Sequence, residues 1–245
     1  MPPFEGSHLK IKRANQHIDD LETIFSQFLR TDFYALGAKA KPQIGYVAYY
    51  VTRVDPLPED VPLILGDAVH NLRTALDHFM WELVGTLCPS AASRHTEFPI
   101  TKTSQQYNSA FGKREITEMR EDIAEFLREI QPYRTTDDTL WDLHQLDIDD
   151  KHKLIIPVAC AINSWGLKKP RIWLGDLSNS FHIELGEELL NIPADTYAKN
   201  HDDIEFGVNV TFRDPDIARG RTVLETLQHL ASFVDMIVTT VERRL

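Results

Sequence analysis

The stretch GDAVHNLRTALDHFMWEL, residues 66–83, decides how the chain is read. At about 100° per residue, Ala68, Val69, Leu72, Ala75, Leu76, Phe79, Met80 and Leu83 fall on one broad apolar arc, which predicts a largely buried helix over about 60–87. The remaining arc is unusual for a surface helix. Asp67, Asn71, Thr74 and His78 follow one another at spacings of four, three and four; His70 and Asp77 run alongside, and Arg73 lies at the edge. A solvated face normally carries flexible Lys and Glu. Short side chains with defined hydrogen-bond geometry point instead to a partly enclosed polar stripe.

A second segment, LWDLHQLDIDDKHKLII, supplies the complement. Leu140, Leu143, Ile148 and Ile155 define its apolar side, and His144, Asp147 and Lys151 project from that same side. Ionisable groups on a buried face must be paired or functional, because an isolated buried charge costs several kcal/mol or shifts its pKa instead. The two helices are therefore expected to face each other. That would bring Asp67, His70, Asn71, Arg73, Asp77 and His78 to a network with His144, Asp147, Asp150, Lys151 and His152.

Around this pair the pattern is mostly helical. Ala14, Ile18, Leu21, Phe25 and Phe28 predict an amphipathic helix over about 12–30. IGYVAYYVTRV (44–54) reads as a strand closed by the prolines of DPLPEDVP. Two helices fill 103–131, with Ile116, Met119, Ile123, Phe126, Leu127 and Ile130 on one side of the second, and the LWDLHQL helix runs over about 137–153. After Pro157 the character changes: RIWLG, FHIELG and DIEFGVNVTF are short strand segments, the last alternating strictly from Ile204 to Phe212. Val223, Leu227, Leu230, Val234, Ile237 and Val241 then form a helical stripe to the C-terminus. The expectation is one predominantly helical α+β domain over 1–245, with a helical core at 1–160 and 214–245 and a small antiparallel sheet inserted at about 165–213.

The 245 residues carry 26 Lys and Arg against 37 Asp and Glu, a net charge of −11 that opposes unspecific attraction to phosphate backbones or anionic lipid. Two cysteines, Cys88 and Cys160, make no disulfide framework, and neither lies in a Cys-x-x-Cys pair. The first residues lack the apolar core of a signal peptide, and the apolar run LIIPVACAI falls short of the ~18 residues a bilayer span needs. A cytoplasmic protein with no membrane partner is expected.

RTALDH, residues 73–78, is an R-x4-H arrangement on a helix and resembles the motif of the HEPN superfamily, a helical group that includes metal-independent ribonucleases. The resemblance covers roughly residues 60–87. It implies attack of a ribose 2′-hydroxyl on the adjacent phosphate, with His78 as acid/base, Arg73 stabilising the phosphorane charge and Asn71 orienting the phosphate, on RNA or a nucleotide and with a homodimer as a further expectation. GDAVHNLRTALDH with the later DKH also resembles a motif pair of uncharacterised bacterial proteins, GD-x2-HNLR-x-ALDH and Asp-Lys-His, which implies no activity but joins both helices in one site. Two other classes compete. One is a non-catalytic helical interaction module whose polar network is structural. The other is a His/Asp metal site inside a helical bundle, against which stand Lys151 and Arg73, which would repel a cation, and the lack of Glu-x-x-His. No cofactor or metal is therefore assigned.

Overall fold

The computed structural model describes residues 3–91, 93, 95–113, 119–135, 138–153, 158–167, 172–200, 204–212, 217–218 and 221–245. The sequence expectations for Ile116, Asp137, Ile155, Arg171 and Asp203 lie outside them. In chain order the elements are α1 (Glu5–Phe28), β1 (Tyr34–Lys41), β2 (Tyr46–Val54), α2 (Asp60–Leu87), α3 (Ser104–Lys113), α4 (Glu121–Glu129), α5 (Thr139–Lys153), β3 (Val158–Leu167), β4 (Ile172–His182), β5 (Glu188–Pro193), α6 (Ala194–Asn200), β6 (Ile204–Phe212) and α7 (Val223–Glu242). The fold class is α+β and predominantly helical, as the sequence predicts. Contacts divide the chain into two compact units, one of Met1–Leu21, Pro62–Ile156 and Leu224–Leu245, the other of Glu22–Val61 and Pro157–Val223.

The first unit is helical, and its core follows the periodicities directly. Ile11, Ala14, Ile18 and Leu21 of α1 are buried, as are Ile123, Phe126 and Leu127 of α4 and Leu140, Leu143 and Leu146 of α5. Leu65, Ala68, Val69, Leu72, Ala75, Leu76, Phe79, Met80 and Leu83 of α2 are wholly inaccessible. Each Leu- or Phe-sized side chain so buried contributes roughly 1.5–3 kcal/mol of hydrophobic stabilisation. Pro62 stands in the first turn of α2, where a missing backbone N–H breaks no helical bond. From α7, Leu227, Leu230, Val234, Ile237, Val238 and Val241 complete the apolar interior.

The second unit is built on two antiparallel three-stranded sheets, ordered β1-β2-β5 and β4-β3-β6. β1 and β2 form a hairpin whose turn ends on Gly45 at φ 71°, a backbone region that only glycine enters at no steric cost. In β2, Tyr49 packs its ring near Tyr197 of α6 and Phe206 of β6, with centroids 5.8 and 6.1 Å away. Strand structure is more extensive than the sequence reading, which missed β1, β3, β5 and the short α6; of FHIELG only Phe181 and His182 lie in a strand, at the end of β4. Beyond Tyr34, YALGAKAK has none of the aromatic and β-branched residues that mark a strand, and β3 begins inside the run LIIPVACAI, whose continuous apolar character hides any alternation. In β6 the alternation holds in part: Phe206, Val210 and Phe212 are buried, but so is Thr211 on the other parity. Helix α1 also starts at Glu5 rather than near residue 12.

Candidate functional site

Helices α2 and α5 run antiparallel, and the residues that join them step along both at one turn per pair. A Cβ added to Gly66 would stand 2.1 Å from Asp150 Oδ1, so this glycine lets the end of α5 approach the α2 backbone. One turn on, His70 Nδ1 lies 3.2 Å from Asp147 Oδ1, while Lys151 Nζ donates to Asp147 Oδ2 at 2.6 Å. Asp147 is only 3% exposed; its two partners, His70 and Lys151, are near half-exposed, so the carboxylate is enclosed and its partners remain wet. A further turn on, Arg73 faces His144, whose pKa is lowered by burial first and by the Arg73 charge second. The Nδ1 atom of His144 is buried and has no hydrogen-bond partner among the described residues. The neutral ring suits that position.

Arg73 is itself closed in. It is 7% exposed; its Nη2 donates to the Phe98 carbonyl at 2.9 Å, and its Nη1 stands 2.8 Å from Asp77 Oδ1 in an ion pair that lacks hydrogen-bond alignment. The Phe98 N–H donates to the same Asp77 oxygen at 2.9 Å. Burial raises the Asp77 pKa, and Arg73 and the Phe98 amide oppose that rise. The trio ties the segment after α2 back onto the helix, with the Phe98 ring 6.2 Å from Phe79. Asp150 is raised as well, by burial and by the neighbouring Asp147 charge.

Two of the predicted site residues turn the other way. The Asn71 amide donates to the Asp67 carbonyl at 2.7 Å and accepts from Lys10 Nζ of α1 at 3.2 Å. His78 lies against Gly6, where an added Cβ would be 3.0 Å from His78 Nδ1, and Ser7, fully buried between them, donates to the Ala75 carbonyl at 2.9 Å. Helix α1 therefore packs antiparallel on the flank of α2 away from α5. The reason is angular: five residues advance a helix by one turn and a further ~140°, so Arg73 and His78 cannot share a face. Of the predicted network, the structure brings His70, Arg73, Asp77, His144, Asp147, Asp150 and Lys151 to the α2–α5 side. Asn71 and His78 join α1, and Asp67 and His152 are exposed. The residues that sequence reading missed are Gly6, Ser7, Lys10, Gly66 and Phe98. A glycine inside an otherwise strong helical pattern, as at Gly66, was the one signal available for close backbone approach.

Between the two flanks α2 keeps a narrow open face. Leu63 and Trp81 are each 57% exposed, and Asp67, His70, His78 and Gly85 are exposed with Thr74 half-buried among them. The hydroxyl of Thr74 stands 3.4 Å from His70 Nε2. Among the described residues no group of three or more His, Cys, Asp and Glu stands close enough to hold a metal ion. Both cysteines are buried, and burial pushes the Cys160 thiol up to about 12, far from the thiolate a nucleophile needs. No helix among the described residues is long and apolar enough to cross a membrane. No family model matches the chain, and no curated protein or solved structure matches it significantly.

Proposed function

We propose that this protein is a helical interaction module whose docking surface is the open face of α2. The observation that carries the reading is the contrast between the seam and that face. Arg73 and Asp147, the enclosed charges of the seam, are answered within the chain by Asp77, the Phe98 carbonyl, His70 and Lys151. A reacting phosphate would have to displace Asp77 to reach Arg73. The open face, by contrast, leaves two large apolar side chains, Leu63 and Trp81, in solvent on either side of an exposed polar strip in which His70 is held by Asp147 and Thr74. Aromatic and aliphatic anchors flanked by polar groups are the residue types that interfaces use.

The experiment places a photo-crosslinking phenylalanine analogue at Trp81 and, as control, at the exposed Met236 of α7. A discrete adduct from position 81, absent from 236 and abolished by Leu63→Glu, is the expected result. No adduct, or the same adducts from both positions, would overturn the docking surface. An RNA-cleavage assay runs beside it: metal-independent cleavage that falls by ~100-fold in both Arg73→Ala and His78→Ala would replace this reading with a HEPN-like ribonuclease.

A further inference from the structure

We infer that the occupant of the α2 open face is a second copy of this chain, crossing antiparallel with a two-fold axis between His70 and Thr74. The inference rests on the docking reading above and adds the identity and register of the partner. Leu63, Asp67, His70, Thr74, His78, Trp81 and Gly85 recur at spacings of four, three, four, four, three and four along the helix. That is a continuous stripe of near-helical period, the pattern by which one helix lies along another. Its chemistry is self-complementary in one arrangement. With the axis between His70 and Thr74, Leu63 meets the partner's Trp81, Asp67 meets the partner's His78, and His70 meets the partner's Thr74, each pair occurring twice as an isologous contact requires.

The other arrangements lose this. A parallel pair sets Asp67 against Asp67 and His78 against His78, and it also aligns the two helix dipoles unfavourably. An antiparallel pair with its axis at Thr74 sets His70 against His78 and Asp67 against Trp81. Within one chain, neither the Asp67 carboxylate nor the His78 imidazole has an ion-pair or hydrogen-bond partner among the described residues. The same two groups answer each other across the axis. Gly85, with nothing within 4 Å of an added Cβ, leaves the end of the stripe clear for the partner's backbone.

The test is sedimentation of the full chain over a range of concentrations, with disulfide trapping to read the register. The wild type is expected to dimerise reversibly. Leu63→Glu and Trp81→Glu should each weaken the dimer by about tenfold or more, because each sets a charge against the apolar partner at both ends of the two-fold contact. Asp67→His and His78→Asp should each weaken it, whereas the double exchange should return to within about threefold of wild type, because only the exchange restores a carboxylate–imidazole pair. Mixing Leu63→Cys with Trp81→Cys protein under oxidation should give the mixed disulfide in preference to either self-disulfide; Cys88 and Cys160 are buried and do not compete. All four positions changed are exposed, and matched unfolding midpoints check that folding is intact. A chain monomeric at millimolar concentration, a double exchange no better than the singles, or trapping without preference for the mixed disulfide would overturn the second copy. If the chain is monomeric yet position 81 still crosslinks to a different protein, the docking reading stands and only this partner falls; if neither occurs, both fall.

Discussion

The two flanks of α2 hold their neighbours by different means. Toward α1 the contact is close and mostly apolar, with the Phe4 ring tilted against Phe79 at 5.0 Å, the buried Ser7 hydroxyl finding a carbonyl, and Lys10 reaching Asn71 at the more exposed end. Toward α5 and the Phe98 segment the contact is ionic, with Arg73, Asp77, His70, Asp147 and Lys151 in sequence along one seam. Burying apolar area stabilises whatever fits, whereas enclosed charges stabilise only the one arrangement that pairs them. The α5 flank should therefore be the sensitive one, and within it the cost of a substitution depends on which member of a pair is left behind.

The largest loss is expected from Asp77→Ala. It leaves the buried Arg73 guanidinium without its carboxylate and the Phe98 N–H without its acceptor, at a cost of about 3 kcal/mol. Denaturant unfolding measures it; a loss under ~0.5 kcal/mol would mean that Arg73 reaches water and the seam is not enclosed. Asp147→Ala should cost less, about 1–2 kcal/mol, because the group removed is the buried one and the groups left behind, His70 and Lys151, can both be solvated. The reverse order would invert the comparison between the two pairs.

Close approach gives a third contrast, about 1 kcal/mol in size. Gly66→Ala gains helix propensity but drives a methyl group into the Asp150 carboxylate, so it should destabilise by roughly 1 kcal/mol, and in an Asp150→Ala background the same change should become stabilising. On the α1 flank Gly6→Ala meets the exposed His78 ring at 3.0 Å, and this ring can turn away. It should be neutral within ~0.5 kcal/mol. Equal costs at the two glycines would remove the distinction between the flanks.

The helix–helix pairing that organises the seam was legible because His144, Asp147 and Lys151 stand on the same side of α5 as its leucines. Charge on an apolar side has few explanations. The bounds of α2 were legible too, since the eight apolar residues from Ala68 to Leu83 leave no other period. The α1 flank was hidden for a local reason: the segment EGSHLK, with Gly6 and Ser7 among its first residues, reads as a poor helix start, and the helix was expected only from about residue 12. Those small residues are the ones that let α1 approach Ala75 and His78. Treating Asn71 and His78 as members of the α5 network followed from that omission. With no helix predicted to cover that side, one polar stripe seemed to need one partner.

The smallest effect concerns slope rather than stability at neutral pH, and it separates the seam from the rest of the molecule by its protons. His144 has a folded-state pKa below its ordinary value of 6.5, from burial and from Arg73. Between that lowered value and 6.5 the unfolded chain therefore binds more protons than the folded one. Stability must fall as pH drops through 6.5, and the contribution is lost in full once the pH passes below the folded pKa. His17 on α1 is lowered as well, by burial and Arg13 with Asp67 partly opposing, so the wild-type slope contains both groups. Asp77 and Asp150 act with the opposite sign and in a lower window, because their raised pKa values favour the folded state as they protonate. Replacing His144 with Gln keeps a neutral polar side chain where Nδ1 makes no hydrogen bond among the described residues, so stability at pH 8 should hardly change. The decline between pH 7 and 5.5 should become shallower, and His17→Gln should remove a separate part of it. Unfolding curves of wild type, both single variants and the double variant across that range check the assignment. A slope unchanged by His144→Gln would mean that the imidazole stands in water and that Arg73 does not face it.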